Sequence, residues 1–209
     1  MIAARTVVTS DGIKLEVEVA QPSEGLRAGM ALCHPHPQFG GSMRSIVIST
    51  LFEALPRAGI MCLRFNFRGV EGSDGVHDEG RAEPLDVAAA VDALATELPA
   101  GVPLVLTGWS FGADMALATV DDRITAWLAI APPLRFAADY PASRDPRRKL
   151  LVLAQHDEFR SPESVIEAAA SWRATNIETV RGASHFFVGR TDRLVELAHD
   201  YIDELVASA

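Results

Sequence analysis

The chain has 209 residues, 19 Lys+Arg against 28 Asp+Glu and a formal net charge of −9, which leaves no basic footprint for nucleic acid or an anionic membrane surface. Hydrophobic residues at 48% and charged residues at 22% are ordinary for a globular chain. One domain over 1–209 is expected, long enough to bury about 70% of its unfolded surface without staples. No apolar stretch reaches the roughly 18 residues of a membrane span, and Met1 to Ser10 lacks the apolar core of a signal peptide. The expected location is therefore cytoplasmic. Cys33 and Cys62 lie in apolar runs and are expected to be buried, reduced thiols.

In chain order, Arg5 to Thr9, a turn at Ser10-Asp11-Gly12 and Ile13 to Ala20 predict a β-hairpin, with Lys14, Glu16 and Glu18 alternating against Ile13, Leu15, Val17 and Val19. Gly29 to Cys33 reads as a buried strand. Ser45 to Ala58 reads as a helix stopped by Gly59, and Ile60 to Phe67 as a strand. Arg81 to Leu98 is helical by the spacing of Leu85, Ala88, Ala89, Val91, Asp92 and Leu94. A strand over Val102–Thr107, a helix over Phe111–Thr119 and strands over Ala126–Ala131 and Lys149–Gln155 follow. Ser161 caps a helix over Pro162–Arg173. A short strand over Ile177–Val180 and an amphipathic helix over Thr191–Val206 close the chain. Strands that alternate with helices predict a mostly parallel sheet covered on both faces. The stretch Pro132 to Arg148 is irregular and too short for a substantial lid.

Within this pattern, Gly108-Trp109-Ser110-Phe111-Gly112 joins an apolar run to an Ala-rich helical run. A bare Gly-x-Ser-x-Gly turns up by chance in about 6% of chains this long, so its context decides. A strand before and a helix after are what a nucleophile elbow requires, and a linker supplies neither. The glycines are expected where a side chain would clash between strand and helix. Ser110 is then the candidate nucleophile of a serine hydrolase.

Such a serine needs a histidine to take its proton and a carboxylate to orient that histidine, in the chain order Ser, Asp or Glu, His. Asp157 follows the strand Leu150-Leu151-Val152-Leu153-Ala154, and His185 follows the strand at 177–180. Both fall just past carboxyl ends of strands, the edge at which open α/β sheets keep their sites. Glu158 competes with Asp157 as the acid. Asp114 suits the first turn of its helix without any catalytic role. His156 reads as a polar loop residue, His199 as a surface side chain, and His77, beside Asp74, Asp78 and Glu79, as part of a solvated acidic loop.

The segment Cys33-His34-Pro35-His36-Pro37-Gln38-Phe39-Gly40-Gly41-Ser42-Met43 follows the first buried strand. An oxyanion hole takes one N–H from the residue after the nucleophile, here Phe111, and one from this early loop. Pro35 and Pro37 have no N–H. His36, Gln38 and Phe39 remain, with Gln38 and Phe39 favoured. His34 and His36 are expected to shape the loop by hydrogen bonding. Their reading as metal ligands lacks an accompanying Cys/His/carboxylate set, so no metal is expected.

His-Pro-His-Pro-x-x-Gly-Gly-Ser-Met, Phe65-Asn66-Phe67-Arg68-Gly69-Val70, Gly108-Trp109-Ser110-Phe111-Gly112-Ala113 and Ser184-His185-Phe186-Phe187-x-Gly189-Arg190 together resemble the small, lidless bacterial α/β-hydrolases related to dienelactone hydrolases, over residues 5 to 205. The resemblance implies an α/β-hydrolase fold with seven or eight mostly parallel strands, and Ser110, Asp157 and His185 as the triad. Two positions depart from the group: dienelactone hydrolases proper carry a cysteine nucleophile, and Glu71 stands where a glycine is usual. The implied activity is a carboxylesterase on small or short-chain esters, working through an acyl-enzyme without cofactor. Thioesters and short peptides suit the same chemistry. Phe39, Trp109 and Phe111 are candidate apolar walls, with Trp109 equally readable as core. His36 is a candidate substrate contact, and Arg68 reads first as a structural salt bridge and second as a contact for a substrate carboxylate. Two rival classes remain, a non-catalytic interaction protein on a hydrolase fold and a metal-dependent hydrolase through His34 and His36. Partners are expected to be a small ester and no nucleic acid or membrane, and the protein a monomer or homodimer.

Overall fold

A computed structural model describes residues 2–23 and 25–208; Met1, Glu24 and Ala209, which include both ends of the expected 1–209 unit, lie outside the described residues. Eight strands form one sheet in the order β1-β2-β4-β3-β5-β6-β7-β8. β1 (Ile2–Val8) and β2 (Lys14–Ala20) are the antiparallel hairpin read from the Asp-Gly turn, with Gly12 at φ 88°. β2 also pairs antiparallel with β4 (Ile60–Phe65). Every further pairing is parallel, through β3 (Ala28–Cys33), β5 (Leu104–Trp109), β6 (Ala126–Ile130), β7 (Arg148–His156) and β8 (Thr175–Ser184).

β3 to β6 are buried along their whole length. Both sheet faces are covered there, so the strands read as continuous apolar runs rather than alternation. Successive side chains still go to opposite faces. Met30, Leu32, Val105 and Leu128 pack under α1 (Ile46–Ala54) and α5 (Thr191–Ala207). Ala31, Leu104, Leu106 and Trp127 pack under α2 (Glu83–Ala95), α3 (Phe111–Ala118) and α4 (Pro162–Ala169). Cys33 and Cys62 are free and buried, and burial pushes both thiols up. Among the described residues no helix is long and apolar enough to cross a membrane.

Four elements differ from expectation, each for a local reason. The helix expected to Ala58 ends at Ala54 and continues as a 3₁₀ turn, Leu55–Ala58, because Pro56 has no N–H to extend it; Gly59 closes the turn at φ 80°. α4 ends at Ala169, short of Arg173. β8 is a ten-residue edge strand, longer than its apolar stretch, because its polar ends still pair with β7 through backbone. On α2 the buried stripe is Glu83, Asp86, Val87, Ala90, Val91 and Leu94, while Leu85 is exposed. Two carboxylates face inward because each has partners: Glu83 accepts the N–H groups of Asp78 and Gly80 at 2.7 and 2.8 Å.

Asp86 holds Arg68, so Arg68 takes its expected salt-bridge role and not that of a substrate contact. Its Nη2 lies 2.7 Å from Asp86 Oδ1, its Nη1 2.9 Å from Asp11 Oδ2, and its backbone N–H donates to Asp86 Oδ2 at 3.0 Å. The guanidinium is buried and fully engaged, tying the loop after β4 to α2 and to the hairpin turn. Removing one member of such a pair leaves the other charge buried and alone. Arg68→Ala is therefore expected to lower the unfolding free energy by about 3 kcal/mol or more, measured by urea denaturation. A loss under about 0.5 kcal/mol, the level of an exposed pair, would contradict this placement.

Candidate active site

The chain leaves β3 toward β4 on one side and β5 toward β6 on the other, although β3 and β5 are neighbours. The crevice beyond their carboxyl ends is thus a topological switch point, where open α/β sheets bind ligands. Three loops meet there: the elbow after β5, the His-Pro-His loop after β3, and the paired ends of β7 and β8.

At the elbow, Ser110 adopts φ 55° and ψ −122°, a sparsely populated conformation for a side-chain-bearing residue that persists only when its surroundings fix it. Its N–H donates to Ile130 O at 2.9 Å, and its carbonyl accepts from Ala113 N at 2.8 Å. The flanking glycines are sterically required. A Cβ on Gly108 would lie 2.1 Å from Gly112 O, and one on Gly112 2.2 Å from Cys33 O.

β7 and β8 run in parallel, with His156 opposite Ser184, so the next residues, Asp157 and His185, emerge side by side. His185 Nδ1 lies 2.8 Å from Asp157 Oδ2, and its Nε2 lies 2.9 Å from Ser110 Oγ. The structure therefore brings Ser110, His185 and Asp157 into one hydrogen-bonded series. Glu158 is not the ring's partner; its Oε2 accepts the backbone N–H of His185 at 3.0 Å. Asp157 Oδ1 accepts from Phe159 N at 2.9 Å and Arg160 N at 3.1 Å. Burial alone raises the Asp157 carboxyl, but the His185 hydrogen bond and charge, with those two N–H groups, outweigh it and hold the carboxyl below its ordinary 3.8.

Trp109 does more than pack: its indole N–H donates to His185 O at 3.1 Å. Nothing in the motif signals this role. The ring of Phe159 stands edge-on to His185, centroids 4.6 Å apart. Its place two residues after Asp157 is the one sequence cue.

The early loop corrects the expected oxyanion donors. Pro37–Phe39 forms a 3₁₀ turn capped by His36. Gln38 N donates to His36 Nδ1 at 3.2 Å and Phe39 N to His36 O at 3.1 Å, so both amides are consumed within the loop. Of the three candidates only the His36 N–H has no acceptor among the described residues, and the same holds for Phe111 N. Gly41 folds back to donate to His36 O at 3.0 Å, and a Cβ there would lie 2.2 Å from Pro35 O. His34 is fully buried; its Nε2 accepts from Phe67 N at 3.0 Å and its Nδ1–H reaches Pro35 O at 2.6 Å. Burial pushes it down to about 3, so it is a neutral loop anchor with neither nitrogen free for a metal.

Two further expectations are corrected. His77 is not solvated: its side chain is buried with Nδ1 2.8 Å from Glu83 Oε1. Phe111 offers no wall, because its ring is fully buried against those of His36, Phe67, His77 and Phe136. Glu71 takes φ 47°, the backbone that the usual glycine would hold, and its carboxylate accepts from Asn66 Nδ2 at 2.9 Å.

A pocket of about 440 Å³ opens over Ser110 and His185. Trp109 and an 82% exposed Phe39 line it as expected. So do His36, Phe136, Phe159 and Phe186. The segment between β6 and β7 contributes Pro133, Arg135 and Phe136 to the wall and holds only one 3₁₀ turn, Pro141–Arg144, so nothing there roofs the pocket.

No family model matches the sequence. An uncharacterized protein of Rickettsia prowazekii (strain Madrid E) is 32% identical over 180 residues, spanning 81% of this chain and 76% of that one. Among solved structures, an α/β serine hydrolase homologue from Coxiella burnetii is 30% identical, with a TM-score of 0.79 over 99% of this chain and 96% of its own. A member of the serine hydrolases without a lid, from Xanthomonas campestris, is 28% identical, with a TM-score of 0.81 over 99% and 94%.

The lowered Asp157 carboxyl has a signed consequence. Its stabilisation is complete above the unfolded value of 3.8 and is lost as pH falls through the lower folded value. Asp157→Asn removes that contribution. Melting temperature followed from about pH 6 to pH 3 is expected to show the wild-type advantage over Asp157→Asn shrink only below about pH 4. An advantage that fades well above that pH would mean the carboxyl is not lowered.

Proposed function

The chain belongs to the family of these α/β serine hydrolase homologues, and on that footing we propose that it is a serine hydrolase that cleaves small carboxylic esters, with Ser110 as nucleophile, His185 as base and Asp157 as orienting acid. The observation that carries the reading is the unbroken series Asp157–His185–Ser110 at 2.8 and 2.9 Å, ending on a serine held at positive φ at the mouth of a pocket.

Asp157 accepts a hydrogen bond from the Nδ1–H of His185, which leaves Nε2 as the acceptor facing Ser110 Oγ. As Oγ attacks the ester carbonyl, its proton passes to Nε2. The N–H groups of Phe111 and His36 meet the oxygen on which charge develops, and each such donor is typically worth about 3 kcal/mol in the transition state. The imidazolium, stabilised by Asp157, then protonates the leaving alcohol. Water deprotonated by the same nitrogen releases the acid and restores the serine. Glu158 and Trp109 fix the backbone of His185 at both its N–H and its carbonyl, so the ring swings little between its two partners. A pocket of about 440 Å³ with aromatic walls suits an acyl or aryl group of modest size.

Intact-protein mass after treatment with a fluorophosphonate probe is expected to show one adduct on wild type and none on Ser110→Ala. With p-nitrophenyl esters of short acids, Ser110→Ala and His185→Ala are expected to lose several orders of magnitude in kcat, and Asp157→Asn about 10⁴. An unmodified wild type, or turnover that survives Ser110→Ala, would overturn the assignment.

A further inference from the structure

Among the residues that wall the pocket, Arg135 carries the permanent charge, and the proposed acyl transfer gives it nothing to do. Its guanidinium has no carboxylate partner among the described residues, whereas Arg44, Arg64, Arg68, Arg123 and Arg147 each reach one. Arg57, Arg160, Arg173, Arg181 and Arg190 also reach no carboxylate among the described residues, but none of them lines this pocket. Among the described residues no Asp or Glu lines this pocket to compete for Arg135. The guanidinium instead lies 4.8 Å from the ring centroid of Phe136, another wall residue, a stacking that leaves its N–H edge free to donate.

The backbone beneath Arg135 is held from inside. Asp114, fully buried on α3, accepts the N–H groups of Leu134, Arg135 and Phe136 at 2.9, 2.8 and 2.9 Å and the hydroxyl of Tyr140 at 3.0 Å. Leu134 is fixed at φ 51° by this cap. A carboxylate in the first helical turn would be at ease in water; here it is spent internally on one turn, and that turn presents Arg135 to the pocket. The charge also reaches the His-Pro-His loop. Burial first, then His77 and Arg135, push the His36 imidazole below its ordinary value.

We propose that Arg135 is a specificity-determining residue that pairs with a carboxylate carried on the substrate, so that the preferred esters are anionic. This rests on the hydrolase reading above. A planar guanidinium binds a carboxylate through two parallel hydrogen bonds, which Lys reproduces only as a point charge and Gln not at all.

The test compares kcat/KM for two anionic esters with neutral counterparts: p-nitrophenyl succinate against p-nitrophenyl pentanoate, and 4-butyryloxybenzoate against its methyl ester. The first pair places the carboxylate on the acyl side and the second on the leaving side. One anionic-to-neutral ratio is expected to fall about tenfold in Arg135→Gln and to fall less in Arg135→Lys. Both ratios unchanged in Arg135→Gln would overturn the subsite while leaving the hydrolase reading intact. Binding of the same two anionic esters to Ser110→Ala and to Ser110→Ala/Arg135→Gln, by calorimetric titration, reads the subsite without chemistry. A roughly tenfold weaker affinity in the double variant for at least one of them is expected, and equal affinity for both sinks the proposal even if wild type turns over no ester. Conversely, absent turnover with a retained affinity difference would remove the hydrolase reading and keep the anion subsite.

Discussion

Everything at the candidate site depends on how closely the β5–α3 elbow packs on the carboxyl end of β3. The backbones approach until Gly112 has no room for a Cβ beside Cys33 O, and Gly108 none beside Gly112 O. That contact forces the turn tight enough to put Ser110 at φ 55° with its Oγ toward His185. It also sets the first residue of α3 beside the His-Pro-His loop, so that the N–H groups of Phe111 and His36, which have no acceptor among the described residues, belong to adjoining backbones. A larger residue at either glycine would separate Ser110 from both.

Around this contact the protein uses buried carboxylates as loop anchors. Asp86 fixes Arg68 after β4, Glu83 fixes the N–H groups of Asp78 and Gly80, and Asp114 fixes 134–136 after β6. Each accepts several hydrogen bonds, the condition under which burying a charge is tolerated. The loops that surround the switch point therefore have almost no regular structure and yet are held by strong, directional, charge-assisted bonds. This is how a site without a lid keeps its walls in place.

Much of this was legible in the sequence, and what was not has a common cause. The order Ser110, Asp157, His185 and their positions beyond strand ends follow from local motifs and from alternation of strand and helix, which depend on neighbouring residues. Contacts between distant residues left no such mark. The pairing of Arg68 with Asp86 and Asp11, the bond from Trp109 to His185 O and the inward face of α2 all depend on a partner that pattern rules send to the surface. The amides of Gln38 and Phe39 are hidden from the sequence for a related reason. Proline content shows which residues lack an N–H, but only the 3₁₀ geometry shows which remaining N–H groups are already used.

The two proposed oxyanion donors come from loops far apart in sequence, and side-chain packing couples them. The ring of His36 lies 5.0 Å from that of Phe111 and 4.8 Å from that of Phe136, with Phe67 and His77 closing the cluster behind. Each ring is thus wedged against the other, while its own backbone N–H has no acceptor among the described residues. The spacing of the donors is set by aromatic contacts in a close-packed interior rather than by any hydrogen bond between the loops. Such packing resists displacement of one loop against the other, because neither ring can move without opening a void or meeting a neighbour. The same cluster carries Phe136 and, stacked on it, Arg135. Ser110, the two proposed donors and Arg135 are therefore referenced to one group of rings, which gives an open pocket fixed internal distances.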